Sequence, residues 1–320
     1  MAKRAKTNLS TIKDRELMDI LADVLSQLTI SKEVLHKNGY YDQVEDFKVK
    51  TTDSLADDVK KYFREEKGKG LSLGFEAMDI DEKFLVRQGE VTILTGSSGS
   101  GKTTFLSQAL INIMKSTNVM VASMEMRPVI QIAKMMTQKG LTKPTDSDIE
   151  YFCANYKDKL WIFDADGVTS EKDINAALVY GKNVLKTEVF VIDSLMKIDS
   201  IAEDDYGSQK KFINKLSCLA RDLKIHIFLV AHTRKLSDEN VVPDASQILG
   251  SSHIRNLTDN IICLHRRKDI EQAMALGEIS ETENPNTSFL MIQKQRNHPF
   301  EGTFNLWFDK RTQTFKDNRG

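Results

Sequence analysis

Short apolar runs alternate with longer stretches of helical periodicity over most of this chain. From about residue 71, apolar runs of strand length occur at 91–95, 118–123, 160–163, 188–193 and 225–231. Between them, apolar residues recur at helical spacing in 102–115, 127–138, 170–185 and 208–223. Strands that alternate with helices form parallel sheets, because a parallel crossover needs a helix to return the chain to the same edge. The pattern therefore predicts an α/β fold with a mainly parallel central sheet.

The pattern changes after residue 259, where helical periodicity is expected to stop. Apolar runs at 260–265, 287–294 and 302–308 follow one another and predict a β-rich end to the same sheet. We therefore expect one large domain over residues 71–320.

The first 70 residues predict a small helical extension. Residues 11–28 place apolar side chains at helical spacing behind a Thr11-x-x-Asp14 capping pattern. A second helix is predicted at about 54–66, with one apolar face formed by Leu55, Val59, Tyr62 and Phe63. We expect residues 1–50 to be a helical N-terminal extension and residues 51–70 to be a linker helix.

The composition is that of an ordinary globular protein and bears on the cellular compartment in which the protein is expected. The chain has 320 residues, of which 40% are hydrophobic, and its formal net charge is −1. No apolar run approaches the roughly 20 residues of a membrane span, and no apolar stretch typical of a signal peptide follows the first Met. These features predict a cytoplasmic protein without a membrane partner. The near-zero charge means that any nucleic-acid contact has to be local or created by assembly.

A phosphate-binding loop carries the strongest chemical signal. It lies between a predicted strand and a predicted helix, and its residues are Gly96, Ser97, Ser98, Gly99, Ser100, Gly101, Lys102, Thr103 and Thr104. Glycines allow a tight turn that points backbone N–H groups at phosphate oxygens, and the following helix dipole favours the anion. The lysine then reaches the β- and γ-phosphates, and Thr103 can hold Mg²⁺. ATP or another nucleoside triphosphate, with Mg²⁺, is the predicted ligand.

Three polar residues follow predicted strands and are candidates for the remaining chemistry. Asp193 ends a continuous apolar run and can support Mg²⁺ opposite Thr103, although a strand that ends in Asp is also common for capping reasons. Glu125 follows the run at 118–123, at a strand tip expected to neighbour the loop, and is the candidate general base; the alternative is a solvated surface carboxylate. His232 can sense the γ-phosphate or can be structural.

Six motifs in this order resemble the DnaB-like replicative hexameric helicases, above all the helicase half of phage primase-helicases and the Twinkle type. They are the phosphate loop, Ser123-Met-Glu-Met, Val191-Ile-Asp-Ser, Val230-Ala-His-Thr-Arg, the segment from Gly250 to Ile262, and Lys294-Gln-Arg-Asn. The resemblance covers residues 71–316. It implies a RecA-like motor that forms a ring, usually of six subunits, with nucleotide between neighbours and single-stranded DNA in the channel.

The resemblance also assigns roles by matching position. Lys102 and Thr103 bind phosphate and Mg²⁺, Asp193 supports the metal, Glu125 is the catalytic base and His232 is the γ-phosphate sensor. Lys294 and Arg296 match a pair that reaches the nucleotide of the neighbouring subunit. Arg266 and Phe308 match residues that stack on either side of the nucleotide base. The linker helix is expected to dock on the adjacent subunit.

The predicted DNA contacts depart from the family pattern. An acidic and a basic residue usually precede the Gly-Ser pair of the DNA-contacting loop, and Gln247 and Leu249 stand in those places. The remaining candidates are Gly250, Ser251, Ser252, Arg255 and Lys210, whose backbone, hydroxyl and basic groups suit phosphates.

We therefore predict an NTP-driven ring helicase of DNA replication, and we expect it to be of the phage type because the motor is so compact. The competing hypothesis is a RecA-like ATPase that acts as a DNA-bound clamp, loader or recombination mediator without unwinding. Predicted partners are single-stranded DNA, further copies of the chain in a hexameric ring, and a primase, polymerase or loader.

Overall fold

The structure, a computed structural model, describes residues 51–64, 70–164, 167–199, 201, 205–232, 252–280 and 286–317. Contacts divide the chain into two units, Met1–Glu65 and Glu66–Gly320. The predicted helix at 11–28, and with it the predicted extension over 1–50, lies outside the described residues.

The described part of the first unit is a short amphipathic helix. A 3₁₀ turn at Asp53–Leu55 leads into α1, Ala56–Arg64. Val59 and Phe63 are 48% and 76% exposed. The helix predicted at 54–66 is confirmed up to Arg64, and its docking on a neighbouring subunit stays a prediction.

The second unit contains the remaining helices and strands of the described residues. Its helices are α2 (Glu76–Asp79), α3 (Lys102–Ile113), α4 (Pro128–Gln138), α5 (Asp146–Tyr156), α6 (Glu171–Asn183), α7 (Tyr206–Leu223), α8 (Ser252–Leu257) and α9 (Lys268–Ala275). Its strands are β1 (Val91–Thr95), β2 (Asn118–Ser123), β3 (Leu160–Phe163), β4 (Thr187–Asp193), β5 (His226–Val230), β6 (Asn260–Arg266), β7 (Ser288–Gln295), β8 (Gly302–Asp309) and β9 (Thr314–Lys316). Short 3₁₀ turns lie at Ile80–Glu82 and Leu195–Lys197. None of the helices in the described residues is long and apolar enough to cross a membrane.

The strands of the described residues form one sheet in the order β3-β2-β4-β5-β1-β6-β7-β8-β9. Neighbours from β3 to β6 run parallel, and β6 to β9 pair antiparallel. The predicted mainly parallel sheet with a β-rich end is therefore confirmed. Because the carboxyl ends of the parallel strands share one edge, loops that follow them meet there. We call this edge the carboxyl edge and the opposite one the amino edge.

Helices cover both faces of the sheet, which explains the uninterrupted apolar runs. Ile93 packs into the core with α6 and α7, and the next residue, Leu94, packs into the core with α3 and α4. Gly181 lets α6 lie close to the sheet, since a Cβ there would come within 2.7 Å of the Phe190 ring.

The expectation that helices stop after residue 259 is wrong, because α9 lies between β6 and β7. Of its residues only Ile270 is buried, so the helix has little apolar periodicity to detect. The prediction also omitted α5, which depends on a capping box between Thr145 and Asp148 and buries only Phe152. The three-residue strand β9 was missed for a similar reason, since one buried residue, Phe315, shows no period.

Candidate functional site

The phosphate loop connects β1 to α3 at the carboxyl edge. Gly96 and Gly101 have φ angles of 149° and 95°. A Cβ on Gly96 would lie 2.2 Å from the Leu264 carbonyl oxygen of β6, so no other residue fits that position. The loop is thus clamped against β6, and the N–H groups at the start of α3 face an anion site.

Lys102 lies within the loop at the start of α3. It is 5% exposed, and its ammonium donates to the carbonyl oxygens of Gly96 and Ser97, both at 2.9 Å. Burial lowers its pKa, while Asp193 and Glu125 oppose that shift. The ammonium is therefore held at the loop by neutral oxygens, which an incoming phosphate can replace.

Thr103 and Asp193, the two predicted Mg²⁺ ligands, are in direct contact. The Thr103 hydroxyl donates to Asp193 Oδ2 at 2.7 Å. Asp193 is 3% exposed, burial raises its pKa, and its Oδ1 has no hydrogen-bond partner within the described residues. A hydroxyl and a carboxylate with a spare buried oxygen fit Mg²⁺, which takes few protein ligands and completes its shell with phosphates and water. The described residues contain no cluster of three His, Cys, Asp or Glu that could hold a metal ion.

Glu125 and His232 lie together at the same edge. Glu125 Oε1 accepts the Ser194 hydroxyl at 2.6 Å and lies 3.4 Å from His232 Nε2. The hydrogen bond to His232, followed by the one to Ser194, lowers the pKa of Glu125 to about 2 against the opposing effect of burial. The carboxylate is consequently ionised at neutral pH and is held by two polar side chains, although Glu125 is exposed. Its role as general base stays a prediction.

The route by which Glu125 reaches the site differs from the prediction. Strand β2 neighbours β3 and β4 and is not adjacent to β1. The chain after β2 instead follows the end of β4, where the Met124 N–H donates to the Asp193 carbonyl at 2.9 Å. Glu125 is therefore aligned with Asp193, which places both carboxylates in the same cavity wall.

A cavity of about 340 Å³ opens at this edge and contains most of the predicted nucleotide-binding residues. Its lining includes the loop from Ser98 to Thr104 together with Glu125, Asp193, His232, Arg266 and Phe308. Arg266 is held by two hydrogen bonds to Glu271, at 2.6 and 2.5 Å, and also reaches the Gly99 carbonyl at 3.4 Å. The Phe308 ring packs on Phe315 at 5.0 Å. The structure thus brings the two proposed base-stacking residues to one cavity, and stacking itself stays a prediction.

Sequence reasoning missed Lys134, a further cation of this cavity. Lys134 lies on helix α4 and lines the cavity. Its ammonium donates to Thr104 Oγ1 at a distance of 3.0 Å, and burial lowers its pKa. A lysine on a surface helix is ordinarily solvated, so its residue type predicts no role in a site. The one sequence signal for Lys134 is that its helix follows directly after Glu125. Phe315 on β9 was missed with its strand.

Lys294 and Arg296 lie at the amino edge, far from the phosphate loop of their own chain. Lys294 donates to the carbonyls of Arg255 and Thr258 at 2.5 and 2.6 Å. Arg296 pairs with Asp259 at 3.0 Å and donates to the Asn256 carbonyl at 3.2 Å. Because β7 runs antiparallel to β6, its last residue, Gln295, pairs with Asn260, the first residue of β6.

The predicted DNA contacts are only partly described. Gly250 and Ser251 lie outside the described residues, and Ser252 begins α8. Arg255 is exposed near the end of α8, and Lys210 is exposed on α7, the helix that packs beside α8. The two basic residues therefore belong to adjoining helices, and their contact with DNA stays a prediction.

The domain that carries this site matches a known protein family. Residues 70–317 match the family described as the DnaB-like helicase C terminal domain. The chain belongs to this family. The resemblance predicted from the six motifs is confirmed, and so is the nucleotide-binding character of the domain.

Individual relatives agree with the family. The chain is 27% identical over 242 residues to the Twinkle homolog protein, chloroplastic/mitochondrial, of Arabidopsis thaliana, covering 67% of this chain and 33% of that protein. It is 25% identical over 238 residues to the DNA helicase/primase of Enterobacteria phage T3, covering 67% of this chain and 42% of that protein. The chain thus spans less than half the length of these curated relatives.

Solved structures share the fold. A solved ATPase domain superposes with a TM-score of 0.68 at 18% identity, covering 85% of this chain and all of that one. A DnaB-like replicative helicase, solved in a study of its interactions with primase, gives a TM-score of 0.65 at 18% identity, covering 94% of this chain and 76% of that one. The predicted RecA-like architecture is confirmed by these matches.

Proposed function

We propose that the chain is the motor of an NTP-driven, ring-shaped DNA helicase that translocates on single-stranded DNA and unwinds duplex DNA during replication. Its substrates are a nucleoside triphosphate, with Mg²⁺, and DNA. Family membership supports the activity class, and the geometry of the site supports the division of the chemistry between subunits.

The residues at the carboxyl edge can prepare a triphosphate for hydrolysis. The loop N–H groups and Lys102 hold the phosphates, and Thr103 and Asp193 would hold Mg²⁺, which neutralises charge on the β- and γ-phosphate oxygens when bound. Glu125, ionised and fixed by Ser194, accepts a hydrogen bond from the attacking water and orients it. His232 touches the same carboxylate oxygen, so a change at the γ-phosphate can be transmitted to the segment after β5.

One observation carries the ring proposal: Arg296 is separated from Lys102 by the length of the parallel strands. Lys102 follows the carboxyl end of β1, whereas Arg296 pairs with Asp259, whose side chain binds the first residue of β1, Val91. Arg296 therefore serves a nucleotide only if a second copy presents its carboxyl edge to it. Repeated around a closed ring, this contact completes each site with an arginine from the next subunit.

Single-stranded DNA is the proposed second substrate. Arg255 and Lys210, on α8 and α7, are basic and exposed, which suits contacts to the phosphate backbone. A primase is a proposed protein partner, because the replicative helicase of similar fold was solved for its interactions with primase.

The deciding experiment mixes two inactive variants, Glu125→Gln and Arg296→Ala. Each alone is expected to reduce kcat for NTP hydrolysis by about 10²-fold or more, since an arginine finger alone contributes about 10³–10⁵ in analogous enzymes. Mixed subunits place an intact Arg296 beside an intact Glu125 at some interfaces, so activity should return. Hydrolysis is measured with and without single-stranded DNA, which is expected to stimulate it.

Two results would reject the proposal. Normal hydrolysis by Arg296→Ala would show that the arginine does not act in trans. DNA-stimulated hydrolysis that never opens a tailed fork would instead favour a RecA-like clamp, loader or recombination mediator.

A further inference from the structure

A buried carboxylate at the amino edge contacts two arginines with the same oxygen. Asp259 is 3% exposed, and its Oδ1 lies 3.0 Å from Arg296 Nη1 and 3.6 Å from Arg221 Nη2. Its Oδ2 accepts the Val91 N–H at 3.0 Å. The carboxylate is thus fixed to β1 by one oxygen and shared between two guanidinium groups by the other.

The two arginines are not equivalent. Arg296 makes the shorter contact and also donates to the Asn256 carbonyl at 3.2 Å. Arg221, at the end of α7, lies at a distance where a small side-chain rotation converts an ion pair into a hydrogen bond. Both side chains are about half exposed, at 52% and 44% for Arg221 and Arg296, so both are able to move.

A buried carboxylate that loses its cation is strongly destabilising, because little solvent can replace the partner. If Arg296 turned toward the phosphates of a neighbouring subunit, Asp259 would lose its closer partner. Arg221, which lies 3.6 Å from the same oxygen, is positioned to compensate for that loss.

We propose that Arg221 is a positioning residue that takes over Asp259 when Arg296 engages the nucleotide of the neighbouring subunit. Arg296 leaves Asp259 Oδ1 and binds phosphate oxygens, Arg221 closes on Oδ1, and no charge is left unpaired. This exchange rests on the proposed trans role of Arg296. It also ties that movement to β1, because Asp259 Oδ2 holds Val91 and β1 leads into the chain's own phosphate loop.

The exchange is tested by a double-mutant cycle on kcat for NTP hydrolysis by the assembled protein. Arg221→Gln should reduce kcat by roughly tenfold, the factor expected from losing one charge-assisted contact, with little change in KM. On an Asp259→Asn background, where no carboxylate needs a cation and Asn still accepts the Val91 N–H, the same substitution should change kcat less than about twofold.

Two further variants and two binding controls make the result specific. Arg221→Lys keeps the charge and should retain at least about half of the kcat of the unmodified protein. Arg221, Asp259 and Arg296 line a surface depression at the amino edge, and Lys224 lines it too. Lys224→Gln removes a positive charge from this depression without removing a contact to Asp259, and should leave kcat within about twofold. Light scattering and fluorescent-nucleotide binding confirm that each variant assembles and binds nucleotide.

Each contrary outcome has a distinct meaning. Equal losses for Arg221→Gln on both backgrounds, equal losses for Arg221→Lys and Arg221→Gln, or a similar loss for Lys224→Gln would overturn the exchange. If the Arg221→Gln variant had normal kcat while the separate Arg296→Ala variant was inactive, the exchange would be overturned and the proposed function would stand. Normal kcat for Arg296→Ala would instead overturn the proposed function on which the exchange rests.

Discussion

The two ends of the parallel strands hold carboxylates in opposite states. At the carboxyl edge, the buried Asp193 has one oxygen bound by Thr103 and the other without a hydrogen-bond partner in the described residues. At the amino edge, all four oxygens of Glu90 and Asp259 are engaged, by Asn297, Asn260, Arg296 and the Val91 N–H. One edge leaves a buried carboxylate oxygen unused, whereas these two carboxylates of the other edge are fully engaged.

This difference indicates that one edge is built to bind a ligand and the other to supply a side chain to a neighbouring molecule. Buried polar atoms ordinarily have partners, so unused ones around a cavity indicate a ligand that completes them. Fully engaged carboxylates instead fix the segment that carries Arg296. A residue that acts on another molecule has to project from such a fixed segment. On this proposal the carboxyl edge receives the nucleotide, and the amino edge serves its neighbour.

The largest effect on this comparison is expected from Asp193→Asn. Loss of the charge should raise the Mg²⁺ concentration for half-maximal hydrolysis by about 10–100-fold, the range seen when a group that orients a metal site is removed. A Mg²⁺ titration of hydrolysis measures it.

Asp199→Asn is the matched control, since Asp199 is an exposed carboxylate on the segment that follows β4. It should leave the Mg²⁺ requirement unchanged. If Asp193→Asn behaved like this control, the unused oxygen of Asp193 would not belong to a metal site.

A smaller effect is expected from Phe308→Leu in the nucleotide cavity. Removing an aromatic face that stacks on a base should raise KM about tenfold, equally for purine and pyrimidine triphosphates, because every base has a π-face. Steady-state kinetics with four nucleotides measures the change. Phe289→Leu, in β7 and outside the cavity lining, controls for loss of a half-buried ring; a KM as high for this variant would refute the stacking role of Phe308.

The smallest expected effect is a loss of folding stability at acidic pH, caused by a histidine at the amino edge. His226 begins β5, its Nδ1–H donates to the Arg87 carbonyl at 2.8 Å, and burial lowers its pKa from 6.5 to about 4. Since the unfolded chain binds a proton that the folded chain does not, stability is full above pH 6.5 and falls as the pH drops toward 4. The free energy of unfolding should be about 1.4 kcal/mol lower at about pH 5.5 than at about pH 7.5 from this residue.

Urea unfolding of the protein and of His226→Asn at both pH values isolates this contribution. Asn keeps a donor for the Arg87 carbonyl but does not titrate. The free energy of unfolding of the variant should therefore fall less between the two pH values than that of the unmodified protein, and the difference should equal the contribution of His226. An identical loss in both proteins would show that His226 is not the acid-sensitive group.

Long buried elements were predictable because each carries its own periodicity. Strands β1, β2 and β3 begin and end where the apolar runs predicted, whereas α5 and α9 bury one residue each and left no detectable pattern. The phosphate loop and Asp193 were likewise local signals. Lys134 was not, since nothing along the chain brings a lysine of α4 to the hydroxyl of Thr104.

The sequence by itself determined the α/β class, the phosphate loop and the candidate acids Glu125 and Asp193 at the ends of β2 and β4, because short-range spacing encodes all three. Only the tertiary structure decided which side chains meet. Strand order brought Glu125 to the loop by way of β4 and Asp193 rather than from a strand adjacent to β1, and the antiparallel return of β7 carried Arg296 to the opposite edge. Pairing between distant strands depends on packing over the whole sheet, which no local pattern specifies.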